Sequence, residues 1–329
     1  MSRVVNLIAD AEKTNSVLSH DDKANVTATT QRKSCSTVLV MDIPITNITT
    51  EEVIDDVSSI LSSAVNHPKM LFFANAHTMN LAANNPSYRA ALRAADHVFG
   101  DGTGVRWAAG MRGVKLADNV NGTDLTPRLL STRQPRTASY YLLGADPKTI
   151  HNAAHSAQKR FRNWRLAGFH HGYIQSDTET AAAIERINQV APDMLLVGMG
   201  NPIQELWIQQ NLDRLNVKVC IGVGGLFDFW SGNFSRAPQW LRRIGHEWLW
   251  RLWQQPVGKF SRYLIGNPLF LVRAFSSVKA DGQRQTSPTP TSDQTPTPAS
   301  RVDESHQQGA AHYPAGFDTL KTITSETGV

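Results

Sequence analysis

In the stretch VFGDGTGVRWAAG, Val98 to Gly110, Asp101 stands among three glycines between an apolar strand end and a helix start. Such a loop either cradles a phosphate with its backbone or presents Asp101 itself for chemistry such as proton transfer. Three other stretches hold similar ingredients. FFANAHTMN carries Asn75 and His77, and LLVGMGNPIQELW carries Gly198, Gly200, Asn201, Gln204 and Glu205. CIGVGGLFDFWSG carries Gly222, Gly224, Gly225 and Asp228, a second candidate carboxylate. The glycine loops each match the first two glycines of G-x-G-x-x-G and miss the third, which is Trp107, Ile203 or Phe227. They are therefore not a dinucleotide fingerprint, and no Walker A sequence occurs. Taken singly, each could be a plain strand-to-helix turn. Several on one edge suit a diphosphate held by backbone N–H groups.

Metal and nucleophile chemistry find little support. His151 and His155 are spaced i, i+4 but lack the glutamate of a zinc helix. His170 and His171 are adjacent, which on a strand points them to opposite sides, so one of them is a candidate to line the site but the two do not suit a shared metal. There is no D-x-D pair in the body and no G-x-S-x-G.

The elements that must position these residues alternate. Strand-like runs are STVLVMDI, MLFFANA, YYLLGA, RLAGFH, DMLLVGMG and VKVCIGVGG. Helical segments are expected over 50–63, 86–95, 104–110, 124–130, 147–161, 177–189 and 202–211. Alternation of this kind predicts a Rossmann-like α/β fold, a parallel sheet flanked by helices, with ligands at the carboxyl ends of its strands. Past Gly232 the pattern turns to helix after helix.

The body is expected to span 37–275. Residues 1–36 read as a polar, disordered arm. Residues 276–329, with TSPTPTSDQTPTPAS, read as a disordered tail too poor in apolar residues to fold. Two cysteines, Cys35 and Cys220, have no ligand-like spacing and point to a reducing compartment. No leader is recognised, and no run approaches the ~18 apolar residues of a spanning helix. With 33 basic and 28 acidic residues, the net charge of +5 is no strong polyanion signature.

The excess charge is local. Between Arg236 and Arg273 lie seven Lys or Arg against a single acid, Glu247, and four of the eight tryptophans fall between Trp240 and Trp253. Such a segment, 236–275, can be a packed helix pair or an interfacial appendage with Trp at headgroup depth and cations facing phosphates. No nucleic-acid motif accompanies it, so nucleic acid is not an expected partner.

Taken together, GMGNPIQELW, RAPQWLRRIGHEWLWRLWQQP followed by Arg262-Tyr263, and ANAHTMNLA with DHVFGDGTGV resemble the motifs of the WecG/TagA/CpsF glycosyltransferases, glycosyltransferase family 26. GFHHGY and NGTDL fit as well, and the resemblance covers about 38–273. Asp42 stands where relatives commonly have glycine.

The resemblance implies an inverting, UDP-sugar-dependent enzyme, peripheral to the inner face of the cytoplasmic membrane. Its acceptor would be a saccharide on a polyprenyl diphosphate, used in cell-surface polysaccharide synthesis, and it implies no cofactor. The donor could be of N-acetylmannosamine, N-acetylmannosaminuronic acid or glucose type. It places the base on Asp101. Asp228 is the competing carboxylate, though its Phe/Trp-rich turn favours a structural role. Arg251 or Arg262 would complete a diphosphate clamp, with Arg236 as third candidate and no metal. Asn75, His77, Thr103, Gln204 and Glu205 would orient sugar and nucleotide beside the loops of Gly198 and Gly200. A non-catalytic, membrane-associated UDP-sugar-binding or scaffold protein is the alternative. Oligomeric state is left open, a homo-oligomer included.

Overall fold

The computed structural model describes residues 36–65, 67–134, 137–238, 240–241, 247–256 and 260–286. The expected N-terminal arm, up to residue 35, and the tail beyond 286 lie outside the described residues. The strands are β1 Ser36–Val40, β2 Ile43–Asn47, β3 Lys69–Ala74, β4 His97–Gly100, β5 Ser139–Gly144, β6 Arg165–His170, β7 Met194–Gly198 and β8 Val219–Gly222. They form one sheet in the order β1-β2-β4-β3-β8-β7-β5-β6, parallel except for the antiparallel β1–β2 pair.

The helices are α1 Thr50–Ser62, α2 Ala76–Asn84, α3 Pro86–Ala94, α4 Thr103–Gly110, α5 Gly122–Ser131, α6 Pro147–Arg160, α7 Asp177–Val190, α8 Ile203–Asn211 and α9 Leu226–Trp230. Beyond them come α10 Glu247–Gln254, a π-helical turn Ser261–Ile265, and α11 Gly266–Thr286.

Alternation along the strands builds two cores. Leu71, Phe73, Tyr140 and Leu142 face the layer of α1, α5, α6 and α9. Met70, Phe72, Tyr141 and Leu143 face the layer of α2, α3, α4, α7 and α8, which Phe270 and Ala274 of α11 join. The expected Rossmann-like fold is thus present, with helices on both faces of the sheet. Local sequence places the helix starts. Thr49 and Glu52 form a reciprocal capping box at α1, worth about 1 kcal/mol. Asn75, Asn85, Asn121 and Asp146 cap α2, α3, α5 and α6.

The structure corrects three local expectations. STVLVMDI is not one strand: it breaks at Met41 and Asp42, both at positive φ (47° and 64°), and returns as β2. This explains how an aspartate can stand where glycine is common, because Asp tolerates the left-handed region better than most residues. The second correction is α2, a helix that the sequence pattern does not predict directly after β3. The third is the last helix, which does not stop at Phe275 but runs to Thr286. Phe270 and Ala274 bury its inner face, and Arg273 bonds Asn80 and Asn84 on α2.

Candidate active site

The carboxyl ends of the parallel strands open into a cleft of about 1010 Å³. Its floor comes from the residues just past β3, β4, β5, β7 and β8. Its other wall comes from α10, the π-helical turn and α11. Of the residues singled out in the sequence, Asn75, His77, Asp101, Thr103, Gly198, Gly200, Gln204, Asp228, Arg251 and Arg262 line it. Glu205 and Arg236 do not.

Asp101 is held at its backbone. Its N–H donates to Ala74 O (2.8 Å), and the next N–H, of Gly102, donates to Asn119 Oδ1 (2.7 Å). Gly102 sits at φ 91°, the left-handed region that glycine enters freely. Asn75 does two jobs: its Oδ1 accepts from the N–H groups of His77 and Thr78, and its Nδ2 reaches Asp101 Oδ2 at 3.4 Å. Burial pushes the Asp101 carboxyl above the usual carboxylate range. The Arg251 charge, the Asn75 contact and Arg262 oppose the rise, and Glu247 adds to it. A base with a raised pKa is better matched to abstracting a proton near neutrality.

The guanidiniums differ in how far they are committed. Arg251 lies over the Phe229 ring (4.8 Å) and 4.0 Å from Glu247. Arg262 lies over Tyr263 (5.5 Å), its pKa lowered by burial, and its Nε has no hydrogen-bond partner among the described residues. Arg236 is already engaged: it pairs with Asp124 (2.8 Å) and Glu247 (3.5 Å) and donates to Thr123 O (2.8 Å). It lines an adjoining cavity of about 530 Å³ rather than the cleft.

Glu205 lies beneath the loop after β7, with 0% of its surface exposed. Its Oε1 accepts from Asn201 Nδ2 (2.5 Å) and Gln204 Nε2 (2.8 Å), and Oε2 has no partner among the described residues. Gln204 Oε1 in turn accepts from Gly224 N (3.0 Å). This chain of bonds ties the loop after β7 to the loop after β8. Gln204 faces the cleft, but its amide is spent on that tie.

Adjacency misled for the histidines. β6 ends at His170, so the two rings are not on opposite sides of a strand. They lie 4.3 Å apart, away from the cleft. Among the cleft residues that went unnoticed in the sequence are Asn119, Asp146 and Tyr173. Asn119 and Asp146 had a usable signal: Asn119 follows Asp118 in a polar turn, and Asp146 stands directly before Pro147, the N-cap pattern that it fulfils on α6. Tyr173 had none.

α4 and α8 turn their amino ends to the cleft with no side-chain cap at Gly102 and Pro202, so the positive end of each helix dipole can attract an anion there. The Gln204 N–H of α8 is already given to Gly200 O (3.0 Å). Among the described residues no three His, Cys, Asp or Glu side chains gather as a metal cradle.

Fold and site together define a doubly wound α/β protein whose cleft is lined by a carboxylate and two guanidiniums. The chain belongs to the glycosyl transferase WecG/TagA/CpsF family, whose sequence model matches residues 38–284. Among similar curated proteins is the N-acetylglucosaminyldiphosphoundecaprenol N-acetyl-beta-D-mannosaminyltransferase of Staphylococcus aureus strain NCTC 8325 / PS 47. It is 28% identical over 221 residues, covering 67% of this chain and 86% of that protein. The protein of the same name from strain MRSA252 is 29% identical over the same coverage.

Proposed function

We propose that this protein is an inverting glycosyltransferase that moves a hexosyl group from a UDP-sugar to a saccharide on polyprenyl diphosphate. The names of the similar Staphylococcus proteins favour an N-acetylmannosaminyl donor and an N-acetylglucosaminyl-diphosphate-lipid acceptor. The uronic acid and glucose donors are the rivals to test beside it. One observation carries the reading: Asp101 stands on the cleft floor, bonded by Asn75 and under the fields of Arg251 and Arg262.

The acceptor hydroxyl oxygen attacks the anomeric carbon from the side opposite the leaving group, while Asp101 takes the hydroxyl proton. The bond from that carbon to the diphosphate oxygen breaks, and its electron pair leaves with UDP. Arg251, Arg262 and the positive amino ends of α4 and α8 offset the charge that develops on the leaving diphosphate. This counter-charge serves in place of a metal ion. Asn75 orients the base, and the Gln204–Glu205 tie holds the nucleotide-facing loops.

The 37–235 body carries the base, and the basic segment from Arg236 onward carries the guanidiniums. Exposed Trp240, Trp253 and Phe260 on that segment support docking to the inner face of the cytoplasmic membrane. Among the described residues no helix is long and apolar enough to cross a bilayer.

The test is UDP release by the full chain, with and without a lipid-linked saccharide, over a panel of UDP-sugars. Asp101→Asn is expected to lower acceptor-dependent release by about 10²–10⁴-fold with an unchanged melting temperature. The anomeric configuration of the product, read by NMR, checks inversion. Full activity in the variant would move the base to Asp228. No release with any donor and acceptor would favour the non-catalytic UDP-sugar-binding or scaffold reading.

A further inference from the structure

The transfer chemistry uses the polar half of the cleft and leaves an apolar rim unexplained. α4 and α11 pack against each other. A side chain at Gly104 would press on the Phe270 ring, and Arg112, just past α4, bonds Ser277 Oγ at 2.9 Å. Both helices show large apolar side chains outward. Trp107 is 59% exposed and Met111 follows one turn later, while Leu264, Val272 and Phe275 (47%, 64% and 52% exposed) do the same on the π-helical turn and α11.

Trp107 and Leu264 also line the cleft, and residues that both line a cleft and are exposed lie at its mouth. The apolar surface therefore starts where the cleft opens and continues along two neighbouring helices. Contiguous apolar surface of this kind marks a binding site more often than chance exposure.

The chemistry of the acceptor selects the occupant. In a saccharide-diphospho-polyprenol the hydrocarbon begins at the diphosphate itself, on the side away from the sugar. With Arg251 and Arg262 given to the diphosphate of the donor and the acceptor's sugar hydroxyl at Asp101 on the floor, the acceptor's own diphosphate and its first isoprene unit lie farther out, toward the mouth where Trp107 and Leu264 are exposed. We propose that the Trp107–Leu264 rim, continued along the outer faces of α4 and α11, binds the first isoprene units of the acceptor. The enzyme then selects its acceptor by the lipid as well as by the saccharide. This rests on the transferase reading, which supplies the acceptor's chemistry.

Equilibrium dialysis of the full chain without vesicles, with saturating UDP to fill the donor's diphosphate position, tests it, using farnesyl diphosphate and inorganic diphosphate as probes. Farnesyl diphosphate is expected to bind roughly tenfold more tightly or better, since each buried methylene adds favourable transfer energy. Trp107→Ser and Leu264→Ser are each expected to remove most of that preference. Both positions are exposed, so the melting temperature should not move. Equal binding of the two probes, or a preference that survives both variants, overturns the proposal. So does a result in which the variants weaken sedimentation with anionic vesicles but leave the farnesyl preference intact, because the stripe would then serve the bilayer. The transferase reading fails differently, by absence of acceptor-dependent UDP release in the same preparation while the farnesyl preference persists.

Discussion

Replacing Glu205 by Gln should change how stability depends on pH. Glu205 is fully buried, and burial pushes its carboxyl from an ordinary 4.5 up to about 7, against the lowering effect of its amide donors. In the unfolded chain the same group ionises near 4.5. Between these values the folded protein keeps a proton that the unfolded chain has lost. The stability that this group contributes is complete below pH 4.5, falls as pH rises, and is gone above about 7. The interval corresponds to about 3 kcal/mol. The amide of the Glu205→Gln variant cannot titrate, yet its carbonyl can still accept from Asn201 and Gln204. Urea denaturation of both proteins between pH 4.5 and 8, followed by tryptophan fluorescence, gives the unfolding free energies. The wild-type value minus the variant value should fall by about 3 kcal/mol across that window. If the two curves run parallel, Glu205 is ionised throughout. The burial argument would then be wrong, and the two amides would be holding a carboxylate at little penalty.

Two further substitutions probe the cleft and its scaffold. Arg262→Ala should slow acceptor-dependent UDP release by roughly 10–100-fold, the worth of a lost charge-assisted hydrogen bond of about 1.5–3 kcal/mol, while the melting temperature stays within a few degrees. An unaffected rate would leave the diphosphate to Arg251 and the helix ends. Gly144→Ala should lower stability by about 3 kcal/mol or more, read as a lower urea midpoint. Gly144 sits at φ 151°, and an added methyl would collide with the backbone of Gly198 on the adjacent strand.

The sequence made the fold class legible because the central strands are continuous apolar runs and six helix starts, α1, α2, α3, α5, α6 and α7, carry a polar cap. Asp101 was legible for the same reason: a carboxylate directly after an apolar run must sit at a strand's carboxyl end. The β1–β2 hairpin was hidden because its turn is Met-Asp, without glycine or asparagine, between two apolar arms. α2 was hidden because the run of asparagines and alanines after β3 carries little apolar periodicity, and only its Asn75 cap announces it. The side residues of the motif were harder still. Gln204 and Glu205 are neighbours in the chain, but one faces the cleft and the other lies beneath it, which depends on how the loop after β7 closes. Arg236, Arg251 and Arg262 look alike in sequence. Their difference comes from acids on other elements: Asp124 of α5 and Glu247 of α10 engage Arg236, while Arg262 has neither.

The contact between Phe270 and Gly104 has a consequence for how the protein is made. A chain leaves the ribosome from its amino end, and domains tend to fold in that order. The sheet and the loop that carries Asp101 would be in place while residues 247–271 were still being synthesised. Until that last segment emerged and settled against α4, the cleft would lack a wall and both of its facing guanidiniums. A nascent chain would hold the Asp101 carboxyl with no guanidinium beside it, and the transfer proposed above would wait on the final helix.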